Sequence, residues 1–75
     1  MKPYFIHAEW DDEAAVWVAT SDDVPGLATE AETQEQLIDK LKVLIPELLE
    51  ANGVGAGADA PFELLTRRFE VARAA

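Results

Sequence analysis

Few side chains in this sequence have the types and spacing that catalysis requires. There is no cysteine and His7 is the one histidine, so a thiolate metal site and a multi-histidine zinc site are both excluded. His7 could act as a general base, but no serine or cysteine stands in a triad context, and a histidine on a strand surface is the simpler interpretation. We therefore expect a protein that is not an enzyme, with no catalytic residue, metal or cofactor.

Asp11-Asp12-Glu13 is a run of three acidic residues that could attract a cation. It lacks the alternating aspartates and the glycine of a calcium-binding loop. The simpler interpretation is the solvated tip of a hairpin.

The net charge of −9, from 15 acidic and 6 basic residues, limits the classes of partner. Such a chain repels the phosphates of nucleic acids and the head groups of anionic membranes. It favours a basic protein partner, because complementary charge raises the association rate and the selectivity. A purely solubilising role is the alternative.

A chain of 75 residues forms a single domain, here residues 1–75, with a small core. A chain this short buries only about 60% of its unfolded surface, so we expect a homo-oligomer that adds buried area. The first ten residues contain no apolar signal-peptide region, and no apolar run approaches the about 20 residues of a membrane span. We expect a cytoplasmic location.

Two apolar–polar alternations predict the first two strands. Residues 3–10 alternate with period two, and residues 15–20 are rich in β-branched and aromatic side chains. They are close enough in sequence to form an antiparallel hairpin. The register stays open, because a shift of one residue would change whether Trp10 or Trp17 faces the core.

Ser21 to Gly26 predict a turn, in which Pro25 presets φ and Gly26 supplies a positive φ if one is needed. Residues 27–31 then predict a short third strand at an edge. Thr33 and Gln36 form a capping box, so a helix begins there and ends at Asn52-Gly53.

An apolar stripe predicts the buried face of this helix. Its members recur at helical spacing: Leu37, Leu41, Leu44, Ile45 and Leu48, widened by Ile38 and Leu49. Pro46 falls inside the stripe, so either one helix is kinked or a second helix starts at Pro46. The stripe runs through Pro46 in phase, which favours one kinked helix.

Residues 53–60 predict a flexible loop, and residues 62–73 predict a final strand, with a helix as the alternative. In that strand Leu65, Phe69 and Val71 share one face. The predicted order is therefore β-β-β-α-β, an α+β fold with a mixed sheet and one helix on one face. The last strand lies beside the first and parallel to it.

The segments AVWVATS, DDVPGL, ATEA, ETQEQL and IPELLE, within about residues 5–52, resemble the HicB-like antitoxin superfamily. Within it they most resemble a group of short uncharacterised bacterial and archaeal proteins. Pro25-Gly26 and Thr33 fall at the spacing that the family shows. The resemblance implies a partly degraded ribonuclease-H-like fold. It also implies the antitoxin of a toxin–antitoxin pair, whose partner HicA is a small basic protein that cleaves mRNA.

Full-length HicB proteins also carry a C-terminal helix-turn-helix or ribbon-helix-helix segment that binds operator DNA. This sequence has no basic recognition helix after its last predicted strand. We therefore expect no direct binding of nucleic acid. The alternative to a toxin partner is a self-associating domain without one.

A ribonuclease-H-like fold raises one catalytic alternative, a nuclease whose clustered carboxylates hold two metal ions. The candidates are Glu9, Asp39 and either Glu63 or Glu70. With 15 acidic residues in 75, chance placement explains them, and Asp39 is expected to face solvent. We expect no nuclease activity.

Five residues are predicted to contact a protein partner: Trp10, Trp17, Asp22, Asp23 and Pro25. Aromatic residues are enriched at the centres of interfaces, so Trp10, Trp17 and Phe5 indicate a partly apolar sheet face, opposite the helix, that seeks a partner. Of the two tryptophans, we expect one in the core and one at the interface.

Arg67, Arg68 and Arg73 form a small basic end of the chain. Pairing with an acidic turn of another copy is the functional interpretation, and ordinary surface charge is the alternative.

Overall fold

The computed structural model describes residues 2–54 and 59–74. Its elements are β1 (Tyr4–Asp11), β2 (Val16–Thr20), β3 (Ala28–Ala31), α1 (Gln34–Ala51) and β4 (Phe62–Arg67). Within these residues the strands form one sheet in the order β3-β2-β1-β4. β1 and β2 are antiparallel, β2 and β3 are antiparallel, and β4 is parallel to β1. The predicted element order, the mixed sheet and the parallel placement of β4 are confirmed.

The register of the first hairpin decides where both tryptophans lie. Trp10 pairs with Trp17, and Ala8 pairs with Ala19. Since opposite residues of an antiparallel pair share a face, both tryptophans lie on the side of the sheet that the helix covers. Their rings meet edge to face, with centroids 5.3 Å apart and planes at 61°.

Asp11 ends the first strand and shapes the hairpin tip. Its carboxylate accepts hydrogen bonds from the Glu13 and Ala14 amides at 3.0 and 3.2 Å, and its carbonyl accepts one from the Ala15 amide at 2.8 Å. Ala15 has a φ of 57°, in the left-handed region. The predicted hairpin tip is thus confirmed, although β1 covers Tyr4–Asp11 instead of residues 3–10 and β2 begins at Val16 instead of residue 15.

The core lies between the sheet and one face of α1. The helix contacts β3 and β2. The buried members of the core are Ile6, Ala8, Trp17, Ala19, Val24, Leu27, Ala31, Leu37, Leu41, Ile45 and Leu49. The last four recur every fourth residue, so the predicted stripe is the buried face of the helix.

α1 begins at the predicted cap and passes through Pro46 as a single helix. The Thr33 hydroxyl accepts a hydrogen bond from the Gln36 amide at 3.1 Å. A proline inside a helix costs about 3 kcal/mol. Burial of Ile45 and Leu49 contributes about 1.5–3 kcal/mol for each side chain, so the in-phase stripe offsets the proline. The alternative of a second helix starting at Pro46 is therefore wrong.

Two predicted strand boundaries are corrected. The third strand begins at Ala28 instead of Leu27, because the Leu27 amide closes a turn onto the Val24 carbonyl at 3.2 Å. In that turn Gly26 has the positive φ, 83°, that a glycine permits.

The fourth strand ends at Arg67 instead of residue 73, and the helical alternative is wrong for residues 62–67. A strand needs a ladder partner, and β1 pairs with β4 only as far as Glu9 opposite Arg67. Of the loop predicted for residues 53–60, residues 55–58 lie outside the described part of the chain.

Candidate protein-binding face

The side of the sheet opposite the helix is called the open face. It is formed by the side chains that alternate away from α1: Phe5, His7, Glu9, Val16, Val18, Thr20, Ala28, Glu30, Glu63, Leu65 and Arg67. Strand alternation explains this division, because successive side chains point to opposite faces. Among the described residues, no helix or strand packs over the open face.

The open face has an apolar centre, formed by Phe5 and Leu65 toward the end where β1 begins, and carboxylates on β1, β3 and β4. Phe5 and Leu65 are 44% and 56% exposed on neighbouring strands, although large apolar side chains normally bury more of their surface. Glu9 and Glu30 flank Val18 on the two adjoining strands, and Glu63 lies opposite Phe5. This arrangement is suited to a partner that is itself partly apolar and positively charged.

A shallow cleft lies at one end of the open face, between the start of β1 and the turn after β2. Its lining combines apolar, hydroxyl and acidic side chains: Phe5, His7, Thr20, Ser21, Asp22, Asp23 and Leu65. The two aspartates of the predicted acidic turn therefore border the apolar centre.

Ser21 and Asp23 hold the turn against β1. The Asp23 carboxylate accepts the Phe5 amide hydrogen bond at 2.8 Å, and the Ser21 hydroxyl donates to the Phe5 carbonyl at 2.6 Å. The same hydroxyl accepts from the Asp23 and Val24 amides at 3.0 and 3.2 Å. The β1–β2 ladder stops at His7 opposite Thr20. Beyond this pair, the side chains of Ser21 and Asp23 satisfy the backbone carbonyl and amide of Phe5, as a further residue of β2 would.

The two aspartates therefore have different tasks. Asp23 is used in folding. The Asp22 side chain is exposed and makes no hydrogen bond or ion pair within residues 2–54 and 59–74. Asp22 is the one available to contact a partner.

We expect Asp23→Ala to lower the free energy of unfolding by about 1–2 kcal/mol, because the Phe5 amide loses a charged acceptor. Asp22→Ala is the matched control and should change it by less than about 0.5 kcal/mol. Urea denaturation followed by tryptophan fluorescence measures both. Equal effects of the two variants would contradict the assignment.

The two tryptophans and Pro25 lie away from the open face. Trp17 is 8% exposed and belongs to the core, and Trp10 is half-buried beside it. The Trp10 indole donates to the Asp12 carboxylate at 2.6 Å, and the Arg68 guanidinium lies 4.3 Å from the centroid of the Trp10 ring.

Pro25 is exposed in the turn after β2. The Asn52 side-chain amide, at the end of α1, donates to its carbonyl at 3.4 Å.

The structure thus brings only Asp22 and Asp23 of the five predicted residues to the open face. Phe5, which the sequence indicated with the two tryptophans as an aromatic residue for a partner, lies on the open face, and Leu65 beside it was missed. Phe5 belongs to the alternate row with His7 and Glu9. That row could not be assigned to solvent until the register of β1 was known.

The carboxylates considered for a nuclease do not share a surface. Glu9 and Glu63 belong to the open face, whereas Asp39 lies on the helix on the other side of the sheet. Glu70 follows β4 and pairs with Arg68 at 2.6 Å. His7 lies 3.9 Å from the Glu9 carboxylate. Over residues 2–54 and 59–74, no group of three or more histidine, aspartate or glutamate side chains could hold a metal ion.

None of the helical residues in the described ranges forms a segment long and apolar enough to cross a membrane.

A small α+β domain with one helix and an open sheet face is therefore the class to which the chain belongs. The chain is a member of the family described as a domain of unknown function, DUF1902, whose model matches residues 3–74. No curated protein matches the chain significantly.

Among solved structures, the chain is similar to the hypothetical protein TTHA1013 from the extremely thermophilic bacterium Thermus thermophilus. The two are 50% identical in sequence with a TM-score of 0.71, and the match covers 96% of this chain and 99% of that one. The likeness extends over nearly the whole of both chains.

Proposed function

We propose that this protein is a non-enzymatic, cytoplasmic protein-binding domain that neutralises a small basic toxin of the HicA type, which cleaves mRNA. The proposal includes a HicB-like, partly degraded ribonuclease-H-like fold. Its support is the β-β-β-α-β order with β4 parallel to β1, together with the matching segments of the sequence.

The observation that carries the proposal is the open face, whose exposed Phe5 and Leu65 lie beside Glu63, Asp22 and Asp23 in a chain of net charge −9. A toxin that binds RNA must present basic side chains to phosphates. A surface of carboxylates competes for the same side chains, and an apolar centre adds the desolvated contact that holds a complex together. Binding would neutralise the toxin by covering its RNA-binding surface, with no chemical step on this chain.

The direct experiment uses the product of the small gene adjacent to this one, which we expect to encode a basic protein. RNA cleavage by that product is measured with increasing amounts of this chain. We expect cleavage to stop at about equimolar ratio. Unchanged cleavage in the presence of excess chain would contradict the proposal, and this chain alone with Mg²⁺ should cleave no RNA.

Asp22→Lys tests the role of charge at the edge of the open face. We expect the association rate with the toxin to fall several-fold at low salt, because a rim charge acts mainly on steering. Stopped-flow fluorescence at two salt concentrations measures it. Glu50→Lys, an exposed position near the end of α1, changes the net charge equally and serves as the control. If both variants slow association to the same degree, only the net charge matters and Asp22 is not in the interface.

A further inference from the structure

The two large apolar residues with the highest exposed fractions in the described chain follow β4. Residues 68–74, called the arm, belong to no helix or strand, and Phe69 and Val71 are 77% and 74% exposed. Two large apolar side chains exposed on a segment outside any helix or strand indicate a contact that a single copy does not supply.

The charge of this end of the chain is opposite to that of the rest. Residues 67–74 contain three arginines and one glutamate, a net charge of +2, so the other residues carry −11. Arg73 of the arm and Glu63 of β4 have opposite charges, and Val71 of the arm and Leu65 of β4 are both exposed and apolar. The arm is therefore complementary to β4 of a second copy, which we take as its occupant.

The outer edge of β4 offers the place for it. In the sheet order β3-β2-β1-β4, only β1 pairs with β4. The Tyr4 amide donates to the Pro61 carbonyl, so the odd-numbered residues of β4 direct their backbone amides and carbonyls toward β1. The backbone amides and carbonyls of residues 62, 64 and 66 point to the outer edge, where a further strand could pair with them.

The arm keeps the alternation of β4 at its first residue. Arg67 pairs with Glu9, and the next residue, Arg68, stacks on Trp10, the next residue of β1. Arg68 therefore lies on the helix side. If the alternation continues along the arm, Phe69, Val71 and Arg73 lie on the side of the open face.

We propose that two copies pair antiparallel through β4 and the arm, about a two-fold axis at Arg68. Residue numbers of opposite positions then add up to 136. Three pairs fall on the open face, each occurring twice: Glu63 with Arg73, Leu65 with Val71, and Arg67 with Phe69. The first is an ion pair, the second an apolar pair, and the third stacks a guanidinium on an aromatic ring.

Neighbouring registers lack this agreement. A two-fold axis perpendicular to the sheet keeps each residue on its own face, so each residue lies opposite a residue of the same face. Along β4 and the arm, residues of one face are all odd-numbered or all even-numbered, so the two residue numbers of every pair must add up to an even number. An axis at residue 67 places Arg67 against its own copy and Glu63 against Val71. An axis at residue 69 places Leu65 against Arg73. Among the open-face residues, only the axis at Arg68 pairs opposite charges and buries the two exposed aliphatic side chains together. On the helix side this axis places Arg68 opposite its own copy, and each Arg68 keeps its ion pair with Glu70 of the same chain, at 2.6 Å.

The pairing would join two sheets into one of eight strands with both open faces on the same side. It covers Leu65 of the apolar centre with Val71 of the other copy and leaves Phe5 accessible. The inference goes beyond the proposed function and stands without any toxin partner.

Cysteine cross-linking of the full chain tests the axis, since the sequence contains no cysteine. Arg68→Cys places a thiol opposite its own copy, within the 4.4–6.8 Å between Cα atoms that a disulfide spans. Under mild oxidation we expect most of this variant to run at twice the chain mass of 8.2 kDa on a non-reducing gel. Ala72→Cys, on the same exposed arm, is the control. Its two thiols would lie about 27 Å apart, eight residues at about 3.4 Å each, and should not cross-link. Equal cross-linking of both variants, or of neither, overturns the proposal.

Charge exchange tests the register without cysteine. We expect the unmodified chain to be a dimer by analytical ultracentrifugation, and Glu63→Arg or Arg73→Glu alone to weaken dimerisation about tenfold, since each pair occurs twice. The double variant should regain most of the affinity. Both positions are exposed, so folding is unaffected. A monomeric unmodified chain, or a double variant no better than the single ones, overturns the proposal.

Discussion

Leu41→Ala should lower the free energy of unfolding by about 2–5 kcal/mol, the largest effect expected of a single substitution in this protein. Leu41 is fully buried at the centre of the helix face. Truncation removes its burial and leaves a cavity that the surrounding core fills only in part.

This loss is severe because the domain is small. At about 0.05–0.15 kcal/mol per residue, a chain of 75 residues has about 4–11 kcal/mol of stability in total. Urea denaturation by circular dichroism measures the change, at a fixed chain concentration because self-association would add stability.

Val43→Ala is the matched control for Leu41→Ala. It lies two residues further along the same helix, is 62% exposed, and should change stability by less than about 0.5 kcal/mol. Similar losses from both variants would contradict the packing of α1 against the sheet.

Phe5→Ala should weaken binding of the proposed toxin by about 30-fold or more, equivalent to about 2 kcal/mol for a central aromatic contact. Phe5 is 44% exposed at the end of the open face where β1 begins, beside Glu63, Asp22 and Asp23. A partner that covers this face would bury the ring, so its removal costs affinity while the helix-side core stays intact.

Isothermal titration with the toxin measures this effect. Val43→Ala again serves as the control, because Val43 is an exposed apolar residue on the opposite side of the sheet. If Phe5→Ala binds as the unmodified chain does, the partner does not use the open face. If Val43→Ala also loses affinity, the partner contacts the helix side.

Local sequence signals were sufficient for the helix and for the order of the elements. Thr33 with Gln36 marked the start of α1, Asn52-Gly53 marked its end, and the apolar stripe was strong enough to carry the helix through Pro46. These features depend on side chains within a few residues of one another, so no knowledge of tertiary structure was needed to interpret them.

The binding face depended on contacts between distant residues and was therefore harder to predict. The pairing of Trp10 with Trp17 placed both rings on the helix side, whereas the sequence predicted that one of them would lie at an interface. The predicted contact of a tryptophan with a partner stays a prediction, with only the half-buried Trp10 offering appreciable surface.

Asp23 shows the same limit. The acidic turn was predicted as a surface that meets a partner, but its hydrogen bond to the Phe5 amide spans 18 residues of sequence. No local pattern distinguishes Asp23 from its neighbour Asp22, since both are charged residues in a turn. The end of β4 at Arg67 was hidden for a related reason, because the composition of residues 68–73 favours a strand but β1 provides no further partner.

The central claim is that the open face binds and neutralises a basic RNA-cleaving protein. Its most direct test is the titration of this chain into the product of the adjacent gene, with binding heat and RNA cleavage followed in the same samples. We predict stoichiometric binding at low salt, weaker binding at high salt, and loss of cleavage in proportion to the complex formed. Absence of binding heat at low salt together with undiminished cleavage would contradict the claim.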